Sequence, residues 1–419
     1  MIDRQEQRRS TRPNGEGTVM QEQAKSVHCS PRYDPDGWTH WPDHEVESTQ
    51  LRRLLGDAQE GASFVSECLM IAGKIVVGDD ESWLGEWRGL ADGIAKRARL
   101  SSAEGHFTTA RNEWLRALNY YRTASAFLIG SDPRIAELSR IARSCAEAFL
   151  ELLSPRGEVL EIRFGSDWLQ GYLIRSSAAP RKSPVVVAFG EERDTKEDLL
   201  VRFQSHAIAS GLSLLVIDLP QEIECFQDSP VHHYQGIALR RWLEYLLSRD
   251  DVDPRRIALI GDGLGGALAT RVAATDMRWA AAVCDGGFWD DLEHRYVTTS
   301  LFGAGIKRSP SCKLARQVKC PSLVVVGEHD YVRLEDITAL HEHCRAAGVP
   351  MDLKIFRGEE TGSSHRQLDN PSIGRQFIFD WLRDKLRLDR KDQAPTIPTR
   401  KNCIENALAI NDTRTASRA

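Results

Sequence analysis

Arg256-Ile257-Ala258-Leu259-Ile260-Gly261-Asp262-Gly263-Leu264-Gly265-Gly266-Ala267-Leu268-Ala269 is the stretch on which the reading of this chain turns. An apolar run, a cluster of glycines and a series of small apolar residues describe a buried strand, a sharp turn and a helix. Two motifs use this succession. In the nucleophile elbow, G-x-S-x-G, the turn lifts a hydroxyl above the edge of a sheet. In the dinucleotide fingerprint, G-x-G-x-x-G, the glycines let a pyrophosphate approach the helix N-terminus. Gly261-x-Gly263-x-Gly265 has the elbow frame, with Gly263 where the nucleophile would stand. Gly261-x-Gly263-x-x-Gly266 has the fingerprint frame, and Asp285 ends the next apolar run roughly where an acidic ribose ligand would sit.

Outward from that stretch, the chain has the size and composition of a folded protein. Its 419 residues suffice for one large or two moderate domains. It is 41% hydrophobic and 27% charged, with a formal net charge of -5. That balance carries no basic footprint, so nucleic acid is not an expected partner. No apolar run is long enough to span a bilayer, and no membrane partner is expected. Residues 1–17 are polar and arginine-rich without an apolar stretch, which argues against a secretory signal. Nine cysteines are scattered singly with no C-x-x-C pair, so no metal site is expected and a reduced cytoplasmic setting fits. No cofactor is expected either.

Residues 1–36 are polar and are expected to form a disordered leader, in which Met20 is a second candidate start. Residues 37–155 carry apolar residues at helical spacing, as in Trp83, Trp87, Leu90 and Ile94, and predict an all-helical cap domain. Residues 156–388 change to strand texture. Val159 to Phe164 and Leu169 to Ile174 alternate as a half-buried antiparallel pair would. Then come continuous apolar runs at Val185–Phe189, Leu214–Ile217, Ile257–Ile260, Ala280–Cys284 and Leu323–Val326, separated mostly by helical segments. Such runs belong to strands buried on both faces of a parallel sheet, so the fold class is α/β with a mostly parallel central sheet. Residues 389–419 are polar again and are expected to be a disordered tail.

Two further pieces favour the elbow over the fingerprint. Val324-Val325-Val326-Gly327-Glu328-His329-Asp330 delivers Asp330 at the C-terminal end of a buried strand, the edge where open α/β sheets place their sites. Gly362-Ser363-Ser364-His365 is a polar loop after the last strand. Elbow, acid and histidine in that order form a catalytic series in which the acid orients the imidazole and the imidazole moves the proton.

From Trp83 to Leu386 the chain resembles the α/β-hydrolase family that includes 2,6-dihydroxypseudooxynicotine hydrolase and the fungal polyketide-shortening pigment hydrolases. It is more distantly similar to esterases related to the fermentation–respiration switch protein. The resemblance rests on Trp83 to Trp87, on Ala117-Leu118-Asn119-Tyr120-Tyr121-Arg122-Thr123-Ala124 and on Asp194-Thr195-Lys196-Glu197-Asp198-Leu199. It rests also on the elbow, on Gly327 to Asp330 and on His365-Arg366-Gln367-Leu368-Asp369-Asn370. It implies a helical N-terminal cap over an α/β-hydrolase core, a small carbonyl substrate, often a 1,3-dicarbonyl whose C–C bond is cleaved, and a homodimer.

The chain departs from that family at three places. Gly263 replaces the nucleophilic serine, Glu191 replaces a second glycine of the oxyanion loop after Gly190, and Leu219-Pro220-Gln221-Glu222 replaces a glycine-containing turn. Loss of a serine nucleophile costs about 10⁶ in turnover, so acyl-enzyme chemistry is not expected. The Leu264 backbone N–H, with the Gly190–Glu191 loop, is the candidate oxyanion site, although a Glu191 carboxylate would oppose the charge. Asp262, Asp285 and Asp291, the last beside Asp290, are candidate substrate-pocket residues, while Cys284 has the setting of a buried apolar side chain. The expected function is acid–base chemistry by His365 and Asp330 on a carbonyl substrate, with Gly263 leaving room for substrate or water. Cleavage, cyclisation and dehydration in secondary metabolism are the candidate reactions. A catalytically silent binding protein and a dinucleotide-binding oxidoreductase are the alternatives.

Overall fold

The computed structural model describes residues 40–191, 194–220, 231–263, 265–286 and 315–386. The described residues belong to one compact unit. The expected leader and tail, Leu264, Asp290 and Asp291 lie outside them.

Among the described residues five α-helices come first: α1 (Glu45–Asp57), α2 (Val65–Ala72), α3 (Asp80–Ala103), α4 (Phe107–Ala124) and α5 (Pro133–Glu151). Local chemistry starts two of them. The Asp79 side chain accepts from the Glu81 N–H at the head of α3. Asp132 does the same for Arg134 at the head of α5, where Pro133 fills a position whose N–H would have no helical partner. Trp83, Trp87 and Tyr120 are completely buried or nearly so, and the Trp83 indole donates to the Thr123 carbonyl at 2.8 Å. These aromatics pack the helical region.

The sheet has eight strands: β1 (Glu158–Phe164), β2 (Asp167–Ile174), β3 (Ser183–Phe189), β4 (Ser213–Ile217), β5 (Val252–Asp262), β6 (Ala281–Asp285), β7 (Ser322–Gly327) and β8 (Met351–Phe356). Their order is β1-β2-β4-β3-β5-β6-β7-β8. β2 pairs antiparallel with β1 and β4, and every other pairing is parallel. β3 to β7 are buried along most of their length, which is why they appear in the sequence as unbroken apolar runs. α6 (Lys196–Ala209), α7 (Val231–Leu247), α8 (Gly265–Thr275), α9 (Leu334–Ala346) and α10 (Pro371–Lys385) cover the two faces.

Successive strand residues feed opposite faces. Val186, Ala188, Ile260, Val283 and Val325 join a core with α6, α10 and the five N-terminal helices. Val187, Leu259, Ala282 and Val324 join a second core with α7, α8 and α9. The helical region therefore shares its core with one face of the sheet. Buried polar bonds pin it there. Glu60 accepts from Ser372 at 2.9 Å, pairs with Arg375 at 3.1 Å and meets the His206 ring at 2.8 Å. Arg122 of α4 holds Asp198 of α6 with bonds of 2.6 and 3.3 Å.

Candidate active site

β5 runs straight into the elbow. A side chain on Gly261 would collide with the backbone of Gly265 and Gly266, so only glycine lets α8 start so close to the strand. Gly263 sits at the tip with φ +59°, in the left-handed region that side chains disfavour. Its N–H donates to the Asp285 carbonyl at 2.7 Å, and its carbonyl accepts from Gly266 at 3.0 Å. The turn is tied to β6 on one side and to the first turn of α8 on the other.

Asp330 follows β7 and His365 follows β8, and the two meet: His365 Nδ1 lies 2.8 Å from Asp330 Oδ1. The loops that carry them are bound together. The His329 N–H donates to the Ser363 carbonyl at 2.8 Å, and the His329 ring meets the Ser363 hydroxyl at 3.1 Å. Asp369 shapes the histidine loop by accepting from the Gly362 N–H at 2.6 Å and the Ser364 hydroxyl at 2.5 Å. Arg366 and Gln367 then take φ +55° and +51°, two consecutive side-chain-bearing residues in left-handed backbone. Such residues persist when surrounding structure over-determines them; here the Arg366 guanidinium is locked among carboxylates. Tyr331 covers one side of the imidazole, with ring centroids 4.7 Å apart.

His365 Nε2 points toward the elbow and finds Glu191, whose Oε1 is 3.6 Å away. A side chain added to Gly263 would strike the Glu191 carboxylate, with the carboxyl carbon 2.7 Å from the new Cβ. The space of a serine side chain is thus filled by a carboxylate brought from the loop after β3. This corrects the expectation that Gly263 leaves room for substrate or water. It also corrects the oxyanion expectation for Glu191, because its N–H, the kind of donor a β3 loop offers an oxyanion, is given to Asp194 Oδ2 at 3.0 Å. The fingerprint reading meets the same obstacle, since an anionic side chain already lies at the turn where a pyrophosphate would bind.

The electrostatics follow from this arrangement. Burial by itself would lower the proton affinity of His365. The Asp330 charge and hydrogen bond, with help from Glu191, overcome that and raise its pKa from 6.5 to about 9. Burial likewise pushes Glu191 upward, but His365 and the Arg366 cation hold it below the usual carboxylate range. Both shifts favour an imidazolium at His365 facing a carboxylate at Glu191.

An ion-pair cluster frames the elbow. Arg366 bonds Asp262 at 3.0 and 2.5 Å and Asp194 at 3.1 Å. Arg202 of α6 bonds the same two carboxylates at 2.5 and 2.7 Å. Beyond this wall lies a cavity of about 600 Å³, lined among others by Arg53, Asn119, Arg122, Asp262, Asp285 and Arg366. Asp285 is almost completely buried, and its Oδ1 has no hydrogen-bond partner. Burial, followed by the neighbouring Asp262 charge, pushes it up to about 7. Cys284 bonds the Thr270 hydroxyl and the Gly266 carbonyl, both at 3.3 Å, and burial pushes its thiol up to about 12, the behaviour of an inert core residue.

Residues 228–367 match the dienelactone hydrolase family. The 20-hydroxy-prefusarin hydrolase FUS2 of Gibberella moniliformis (strain M3125 / FGSC 7600) is 34% identical over 412 residues, covering 81% of this chain and 96% of the relative. The chain belongs to the α/β-hydrolase family. The alpha/beta hydrolase xenA of Xenoacremonium sinensis is 30% identical over 248 residues, 56% of this chain and 58% of that relative. The crystal structure of 2,6-dihydroxy-pseudo-oxynicotine hydrolase has the same fold, with a TM-score of 0.62 at 21% identity over 82% of this chain and 98% of that one.

In this α/β-hydrolase, then, Gly263, Asp330 and His365 come together at the C-terminal edge of the sheet, and Gly190 leads into the loop that adds Glu191. Asp262 and Asp285 face the neighbouring cavity, which His365 does not line. Sequence reasoning placed Asp194 and Arg366 in stretches that carry the resemblance but did not read them as the frame of the site, and it missed Arg202, which lies in the middle of α6. Among the described residues no cluster of His, Cys, Asp and Glu has the arrangement of a metal site, and no helix is long and apolar enough to cross a membrane.

Proposed function

We propose that this α/β-hydrolase is an enzyme that moves protons at the carbonyl group of a small molecule without forming an acyl-enzyme. The observation that carries the reading is the His365–Asp330 bond of 2.8 Å, with Nε2 turned to the elbow tip where Gly263 removes any nucleophile. Asp330 fixes the ring and favours its protonated form, so His365 is ready to donate to a carbonyl oxygen. Carbonyl polarisation of that kind serves C–C cleavage, cyclisation and dehydration alike. The FUS2 relative, whose name states action on 20-hydroxy-prefusarin, supports a polyketide-like or aromatic substrate and a place in secondary metabolism. A cytoplasmic homodimer is part of the same proposal.

The test is conversion of a panel of 1,3-diketones, β-keto amides and activated esters by the full-length protein beside His365→Gln and Asp330→Asn. The reading expects turnover of dicarbonyls, none of esters, and loss of about 10²–10⁴-fold in His365→Gln. Equal turnover by wild type and His365→Gln would remove it. The large polar cavity beyond the Asp262–Arg366 wall favours a second reading, a silent ligand-binding protein; thermal-shift binding of panel members with no turnover would support that one.

A further inference from the structure

We propose that Glu191 is the second catalytic group of this site: its carboxylate takes a proton from the carbon beside the substrate carbonyl while His365 gives one to the carbonyl oxygen. The inference rests on the acid–base reading above and names its missing base.

Three features of the geometry point to it. First, Glu191 Oε1 and His365 Nε2 are 3.6 Å apart, with the Glu191 carboxylate lying over Gly263. A carbonyl oxygen and the hydrogen on its neighbouring carbon present themselves side by side, so one face of such a molecule can meet both groups. Second, the carboxylate is held in place. The Glu191 N–H is anchored on Asp194, and Arg366 Nη1 lies 3.8 Å from Oε1. Third, the Glu191 side chain is only partly buried, with 29% of its surface exposed. The surroundings also separate the two groups in proton affinity, the imidazole upward and the carboxylate downward, the pattern that distinguishes an acid from a base in one site.

The step balances without any co-reactant. The C–H bond breaks and its electron pair becomes the C=C bond of an enol. The carbonyl π pair takes the proton from Nε2. Glu191 is left as the carboxylic acid and His365 as the neutral ring. The enol carbon then attacks a second carbonyl within the same molecule; the enol O–H proton passes to the new alkoxide, which leaves a hydroxyl, and the first carbonyl re-forms. Returning the proton from Glu191 to His365 across their direct contact restores the resting pair.

The experiment uses the full-length protein and a β-keto amide deuterated between its two carbonyls, with washout of deuterium followed by proton NMR. Wild type is expected to accelerate washout, and Glu191→Gln and Glu191→Gly to lose about 10²–10⁴-fold. Formate is expected to restore part of the rate in Glu191→Gly by entering the vacated space, which a structural role would not allow. The alkaline limb of the wild-type rate belongs to His365 among Asp330, Glu191, Arg366 and Tyr331. It is expected to move to lower pH in Glu191→Gln, because one of the two carboxylates that favour the imidazolium is gone. Wild-type rates in Glu191→Gln with an inactive His365→Gln would overturn the role of Glu191 and leave the His365 reading standing. A rate lost in Glu191→Gly that formate does not restore, with an unmoved alkaline limb, would overturn it too. No washout by wild type, or equal washout by His365→Gln, would overturn both.

Discussion

A serine at position 263 would have to share its space with Glu191. Its backbone would also have to hold φ +59° with a side chain attached. Gly263→Ser is therefore expected to lose roughly 1–3 kcal/mol of stability in urea denaturation and to gain no ester hydrolysis. Removing the obstruction changes the outcome: Gly263→Ser combined with Glu191→Gly should react with a fluorophosphonate probe faster than either single variant. Equal labelling of all three would show that His365 cannot activate a hydroxyl at the elbow. Asp330 and His365 were legible in the sequence because a turn after a buried strand can deliver a side chain only to the sheet's edge. The direction of the Glu191 side chain was not legible. It depends on Asp194 capturing the Glu191 N–H, a contact three residues away whose geometry no periodicity encodes.

The elements around the site are held by charge as much as by apolar packing. α6, β5 and the loop before α10 meet at two arginines and two carboxylates, all largely buried. Removing Arg202 leaves two largely buried carboxylates, Asp194 and Asp262, to share the single cation of Arg366. Arg202→Ala is expected to cost about 3–5 kcal/mol, read as a lowered midpoint in thermal or urea unfolding. A change within experimental error would mean that the cluster is not a structural frame. Strands and helices could be placed from the sequence because runs and spacing report burial directly. The cluster could not: an arginine in the middle of a helix has the same local pattern whether it faces water or two aspartates.

At the scale of the molecule, Glu60 links the N-terminal helices to α6 and α10. Burial would raise its pKa, but the His206 bond, the Arg375 charge and the Ser205 hydroxyl lower it from 4.5 to about 2. A carboxyl held below its unfolded value contributes stability above about pH 4.5, and the contribution disappears as pH falls toward 2. Glu60→Gln should therefore be less stable than wild type at neutral pH, by about 3–5 kcal/mol, with the gap closing in acid. A gap that persists unchanged at low pH would contradict the ion pair. Because helices and sheet share one core, near-ultraviolet and far-ultraviolet circular dichroism should report a single transition. The division into a helical stretch and a sheet was visible in the change of texture near Gly157. The shared core was not, since it depends on which face of the sheet the helices cover.

Nitrogen-15 NMR across the pH range measures directly whether the His365 ring is protonated between Asp330 and Glu191 above an elbow that carries no hydroxyl. Both ring nitrogens are expected to be protonated at neutral pH, with titration near 9 and a lower value in Asp330→Asn and in Glu191→Gln. Titration at or below the ordinary histidine value of 6.5, unmoved by either substitution, would contradict it.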